Sequence, residues 1–120
     1  MRKNIKHIIP FLLILFSASC SGQDCKTLNE NFANYESALK VIKSTDFSFS
    51  DNCNTNKSSW IENAKYYSCD NKTGYFLLKT KSKTYIHKKV PIEKWNEFKK
   101  AESFGKYYNR NIKNHFQLVL

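Results

Sequence analysis

No stretch of this 120-residue chain is apolar for long enough to span a bilayer. The main apolar run, residues 8–16, is interrupted by Pro10 and reaches about half of the ~20 residues that a transmembrane helix needs. This length argues against a transmembrane helix in the mature chain.

Catalytic and metal-binding signatures are also missing. The sequence contains no Gly-x-Ser-x-Gly elbow, no Cys–His signature and no carboxylate pair. Its four cysteines show no Cys-x-x-Cys spacing and have no paired histidines nearby, which argues against a zinc site. We therefore expect no metal and no cofactor, and we interpret the protein as non-enzymatic.

Arginine is scarce. Arg2 and Arg110 are the two arginines among 20 basic residues, which face 10 acidic ones. The positive balance favours acidic partners such as nucleic acid, anionic lipid or acidic glycans. Lysine lacks the planar fork that suits specific phosphate recognition, so a solvated lysine-rich surface is the favoured interpretation over a dedicated anion site.

The first 22 residues have the features of a secretory signal. Arg2, Lys3 and Lys6 precede the apolar run, and small residues occupy positions 17–22. We expect the protein to be exported from a bacterial cell, as a secreted, periplasmic or outer-membrane-anchored protein. Cleavage before Cys20 would leave a formal net charge of +7.

Residues 15–20 resemble a bacterial lipobox, in which small residues precede a cysteine. Ser17 stands where an aliphatic residue is usual, three positions before Cys20. Cys20 is therefore a candidate for lipidation, and cleavage after Ser19 or Gly22 without a lipid anchor is the equally weighted alternative.

Cys25, Cys53 and Cys69 are candidates for disulfides outside the cytoplasm. A Cys25–Cys69 bridge would close the longer loop and a Cys53–Cys69 bridge the shorter one. Loop entropy gives about 4 against about 3 kcal/mol, which does not decide between them.

The N-terminal half of the mature chain predicts one helix and one loop. Apolar residues recur at three- and four-residue steps over 34–43, and Asn34 is a suitable N-cap. The following stretch, 46–59, is rich in Asn, Asp and Ser, which predicts a polar loop.

Three strands are predicted next, over residues 60–68, 75–80 and 84–88. The second is apolar on both faces, so we expect it to be covered on both sides. The helix at 34–43 would cover one side and two C-terminal helices the other.

The C-terminal segment predicts a helix that starts at Pro91 and carries an apolar stripe through Trp95 and Phe98. Gly105 would end this helix. A short helix over 107–113 and a strand over 116–120 would follow. Together the elements predict an α+β fold, a small antiparallel sheet of three to four strands with an N-terminal helix and two C-terminal helices packed on it.

An ordered set of residues within 58–120 resembles the KTSC domain, a small family named for a C-terminal segment of some lysyl-tRNA synthetases. The set is Tyr85-Ile86-His87, Val90-Pro91, Trp95, Phe98, Ala101, Ser103, Gly105, Tyr108-Asn109 and Ile112-Lys113. His87 stands where the family has the second tyrosine of a Tyr-x-Tyr strand. Residues 23–57, a helix and a polar loop, would precede the domain. The resemblance implies a sheet–helix fold, and RNA binding has been suggested for the family.

We therefore expect an exported binding module with an unknown macromolecular or envelope partner. Aromatic and basic residues sharing one sheet face could stack rings and hold phosphates. These candidate contact residues are Lys79, Lys81, Lys83, Tyr85, His87 and Lys89. Nucleic-acid binding is the alternative, and a small hydrolase using His87 and His115 is a third and disfavoured one.

Overall fold

The structure, a computed structural model, describes residues 23–120. The expected signal segment and the candidate lipidation site Cys20 lie outside the described residues. Within this part, no helix is both long enough and apolar enough to cross a bilayer. The elements, in chain order, are β1 (Gln23–Asp24), a 3-10 turn (Cys25–Thr27), α1 (Tyr35–Ser44), β2 (Thr45–Asp46), β3 (Phe49–Cys53), β4 (Ile61–Ser68), β5 (Thr73–Thr80), β6 (Thr84–Pro91), α2 (Ile92–Lys100) and α3 (Phe104–Asn111).

Strands β3 to β6 form one antiparallel sheet, in which spatial order follows chain order. The short strands β1 and β2 pair with each other in parallel, apart from this sheet. The expected α+β fold with a small antiparallel sheet is confirmed, and the sheet has four strands.

The prediction of a loop over 46–59 was wrong, because β3 lies inside it and pairs with β4. Asp51 explains why the strand is stable there: it accepts hydrogen bonds from Trp95 Nε1 at 2.9 Å and from Lys99 Nζ at 2.6 Å. Burial acts to raise the pKa of Asp51, but the hydrogen bonds from Lys99 and Trp95 outweigh burial and lower it. An Asp that suggested a turn thus anchors a strand to α2.

The sheet is buried on both sides, as expected from the apolar run in β5. Helices α2 and α3 cover what we call the C-terminal face, where Phe76 and Leu78 point. Helix α1 covers the opposite, N-terminal face, where Tyr75 and Leu77 point. The predicted three-layer arrangement is therefore confirmed.

Asn34 caps α1 as predicted, since its Oδ1 accepts the backbone N–H of Ser37 at 2.8 Å. Pro91 precedes α2 as its N-cap residue, and α2 ends at Lys100 without a glycine. The prediction that Gly105 ends a helix was wrong, because Gly105 lies in the first turn of α3. Here Ser103 Oγ accepts the N–H of Lys106 at 3.2 Å and starts that helix.

The predicted C-terminal strand is reduced to one isolated bridge between His87 and Gln117. Lys88 N–H donates to the carbonyl of Phe116 at 2.8 Å, and Leu118 N–H donates to the carbonyl of Ile86 at 3.1 Å. These bonds cover the outer edge of β6, which would otherwise expose unpaired backbone groups.

Candidate functional site

A surface groove lies where the start of β4, the β5–β6 turn and α3 meet. Its volume is about 480 Å³. It is lined by Ser59, Trp60, Thr80, Lys81, Ser82, Tyr85, Tyr108, Asn109, Lys113 and Gln117. Three aromatic rings, two lysines and two carboxamides therefore face one concave surface.

Trp60 is the most accessible ring of the groove. Trp60 is 40 % exposed. In the described part of the chain, the other exposed large apolar residues are Val119 and Leu120. The indole meets the Tyr108 ring edge-on, with 6.0 Å between the ring centroids. An exposed indole supported from behind is a suitable stacking platform.

Gly105 is what lets Trp60 lie so close to α3. A Cβ at position 105 would sit 2.6 Å from Trp60 Nε1, which is closer than such atoms approach. The glycine therefore positions the indole between the groove and a second depression of about 440 Å³ at the start of α3. The two depressions share Ser59, Trp60 and Asn109.

The groove is positively charged. Lys81 and Lys113 line it, and none of the described residues that line it is acidic. Lys83 adjoins it, because its Nζ lies 4.7 Å from the centre of the Tyr85 ring and 5.2 Å from that of Tyr35. At these distances an ammonium group and the face of an aromatic ring attract each other electrostatically.

The six candidate contact residues do not share one sheet face. Lys81 and Tyr85 line the groove, and Lys83 adjoins it. Lys79 lies on β5 with its Nζ 4.0 Å from Glu62. Lys89 lines a different depression, beside Phe47, Tyr67 and Tyr75 of the N-terminal face.

A bulge in β6 separates Lys89 from Tyr85 and His87 of the same strand. Gly74 pairs with Val90 but Phe76 pairs with His87, so β6 carries one extra residue between these pairs. Lys89 takes a left-handed conformation there, with a φ of 59°. Because of the bulge, the side chain of Val90, and not that of Lys89, packs on the C-terminal face.

His87 lies in the core and not on the surface, with 1 % of its area exposed. Its Nε2 lies 2.9 Å from the hydroxyl of Tyr108, and its Nδ1 has no hydrogen-bond partner among the described residues. Burial lowers the pKa of His87 to about 4, so the ring is neutral near pH 7. His115 is exposed in the turns after α3, and so the two histidines do not form an exposed pair.

The cysteines pair as one of the two predicted alternatives. Cys25 is joined to Cys69, with 5.8 Å between their Cα atoms, and Cys53 is buried and unpaired among the described cysteines. The disulfide ties the 3-10 turn to the end of β4. The described residues contain no group of His, Cys, Asp and Glu side chains suited to a metal ion.

Of the ten residues that line the groove, the prediction from sequence named Lys81 and Tyr85 and missed the other eight, among them Trp60, Tyr108, Asn109 and Lys113. Trp60 was assigned to a strand, whereas β4 begins at Ile61. One signal was available, since Trp60 follows a polar stretch and so lies at an element boundary, where side chains are often exposed.

Comparisons with known proteins give one positive result. A family model described as "KTSC domain" matches residues 57–116, which is half of the chain. Neither the curated proteins nor the solved structures contain a match to this chain. The matched segment includes β4, β5, β6, α2 and α3, and therefore the elements that form the groove.

Proposed function

The chain belongs to the KTSC domain family, and we propose that it is a small exported, non-enzymatic module that binds an anionic macromolecular partner in the groove. The observation that carries this proposal is the exposed Trp60, which is held by Gly105 beside two lysines. A large exposed apolar ring in a positively charged groove is typical of a binding site.

Two features support export. The basic, apolar and small-residue segments of the first 22 residues occur in the order of a secretory signal. A disulfide between Cys25 and Cys69 persists in an oxidising compartment and is rare in the cytoplasm. Lipidation of Cys20 remains part of the proposal, and the mass of the mature N-terminus tests it directly.

The burial of His87 supports a binding role over hydrolysis. A general base must reach the proton that it abstracts. His87 contacts Tyr108 and Phe76 inside the core, and His115 is exposed apart from it.

Retention of envelope material tests the proposal. The full chain, expressed with its own signal segment, is purified and immobilised, and a native envelope fraction is passed over it. We expect wild-type protein and a Lys40→Glu control on α1 to retain the same component, and Trp60→Ala and Lys113→Glu to lose it. Equal retention by all four proteins would contradict a role for the groove.

Nucleic-acid binding is the second candidate, because the same aromatic rings and lysines could hold bases and phosphates. For a single strand, each phosphate contact contributes a slope of about −0.7 to the dependence of log K on log salt. Contacts from Lys81 and Lys113 would give a slope of about −1.4, and Lys113→Gln would reduce it by about half. Binding that is indifferent to salt would remove this candidate.

A further inference from the structure

We propose that the ligand of the groove is an acidic polysaccharide, with one sugar ring stacked on Trp60 and its acidic groups beside Lys81 and Lys113. This inference rests on the proposed binding function and names its ligand class. Three properties of the groove carry it: the number of free ring faces, the hydrogen-bonding groups and the kind of cation.

The groove offers one free platform for stacking. Trp60 is 40 % exposed, whereas Tyr108 is 4 % exposed and lies beneath it. The ammonium of Lys83 covers the Tyr85 ring at 4.7 Å. Proteins that bind single-stranded nucleic acid stack successive bases on successive rings. A single platform suits a polysaccharide, of which one sugar ring stacks on the indole of Trp60.

The polar groups of the groove match sugar hydroxyls. Asn109 and Gln117 contribute carboxamides, and Ser59 contributes a hydroxyl. Each of these groups both donates and accepts hydrogen bonds, as a hydroxyl does. A ligand with many hydroxyl groups can therefore form hydrogen bonds to all three residues, as donor or as acceptor.

The cations are lysines, and no arginine is among the described residues that line the groove. Arginine forks suit bidentate contacts to phosphates and to guanine edges, whereas an ammonium acts as a point charge. Two ammonium groups match isolated carboxylates spaced along a glycan better than a phosphate at every residue.

The ligand is a polymer because cations lie on both sides of Trp60. Lys81 and Lys113 line the groove, and across the shared indole the second depression is lined by two lysines, Lys57 and Lys106, and one carboxylate, Glu102. The Lys57 ammonium is already bonded to the carbonyl of Ala101 at 3.0 Å. This bond leaves the charge of Lys57 and two of its N–H donors free, so the two lysines outweigh Glu102 on that side and an extended anionic chain can cross Trp60 and meet cations at both ends.

Titration calorimetry with sodium polygalacturonate as the probe tests this inference on the full chain. Neutral dextran and single-stranded poly(U) RNA are titrated in parallel at the same salt concentration. We expect polygalacturonate to bind more tightly than either. Trp60→Ala should weaken this binding about tenfold, in line with the loss of one stacked ring. Trp60→Phe should recover part of the loss, and Lys40→Gln on α1 should match wild type.

The charge contacts give a second readout that does not depend on the fold of the Trp60 variants. Lys113→Gln and Lys106→Gln are exposed substitutions, each expected to weaken binding about threefold and to reduce its salt dependence. Thermal unfolding of each variant shows whether the fold is kept.

The outcomes separate the inference from the proposed function. If the envelope fraction is retained through Trp60 but polygalacturonate does not bind, the glycan inference fails and the binding function stands. If neither is retained, both fail. Tighter binding of poly(U) than of polygalacturonate would overturn the inference in favour of nucleic acid, and equal binding of dextran would overturn the role of charge.

Discussion

The two faces of the sheet are held in different ways. On the C-terminal face, Trp95 stacks on Tyr66 at 5.4 Å and meets Phe76 edge-on at 5.3 Å, and all three are fully buried. On the N-terminal face, α1 buries Ala38 and Ile42 fully, and its one aromatic residue, Tyr35, stays partly exposed. The first face is stabilised by fully buried aromatic rings, whereas aromatic contacts of the second, such as that of Phe47 with Tyr67, are partly buried and a disulfide is added.

The family match follows this division in part. It covers β4 to α3, which form the groove and most of the C-terminal face, and it leaves out α1, Cys25 and also β3. Nine of the ten groove residues lie within the match, and the N-terminal segment lies outside it and is attached by a disulfide. Stability and binding should therefore separate when one face at a time is perturbed.

The largest expected effect comes from Trp95→Ala on the C-terminal face. Loss of a fully buried indole lowers the free energy of unfolding by about 3–5 kcal/mol. The variant also removes the N–H that Asp51 accepts at 2.9 Å. Urea denaturation measures the change, with Trp60→Ala as the matched control at an exposed position. Equal losses in the two variants would contradict the packing account.

Removal of the disulfide is the corresponding change on the N-terminal face. Cys25→Ser combined with Cys69→Ser should lower the free energy of unfolding by about 2–4 kcal/mol, because a long loop in the unfolded chain is no longer closed. Proteolysis should then cut first within residues 24–47, and binding in the groove should be kept. If the double variant is fully folded but no longer binds, the two faces are coupled.

Much of this division could be predicted from sequence, because apolar periodicity reports which residues are buried. The four consecutive apolar residues of β5, Tyr75–Leu78, indicated two covered faces, and the structure covers both. The stripe through Trp95 and Phe98 likewise predicted the packing of α2.

The groove could not be predicted in the same way, because it depends on contacts between distant residues. Gly105 was interpreted as a helix stop, since glycine often ends helices, but here it makes room for Trp60. His87 and Lys89 were predicted to share a sheet face, but the bulge after His87 takes Lys89 off the face on which His87 is buried. One inserted residue is invisible to a two-residue period.

Acid should destabilise the C-terminal face through His87. Its pKa is about 4 when folded, against about 6.5 when unfolded, so between these values the unfolded chain binds more protons. The free energy of unfolding should therefore fall by about 3 kcal/mol as pH decreases from 6.5 to 4. Urea denaturation across this range measures the slope, and His87→Gln should remove most of it. An unchanged slope in that variant would assign the acid sensitivity to other groups.

Two tyrosine hydroxyls that bond to the backbone of β6, one from each face, give the finest comparison. Tyr66 on the C-terminal face donates to the carbonyl of Val90 at 2.6 Å in the core. Tyr35 on the N-terminal face accepts the N–H of Ile86 at 2.6 Å in a partly buried position. Tyr66→Phe leaves a buried carbonyl without its partner, which costs about 1–3 kcal/mol.

For Tyr35→Phe we expect a smaller loss, about 0.5–1.5 kcal/mol, because the Tyr35 side chain is only partly buried whereas Tyr66 is fully buried. Urea denaturation of the two variants compares these losses. Amide exchange adds a local measurement, in which Ile86 should exchange faster in Tyr35→Phe while the amides of β4 and β5 stay protected. If Tyr35→Phe costs more than Tyr66→Phe, the N-terminal segment is an integral part of the core and not a tethered cover.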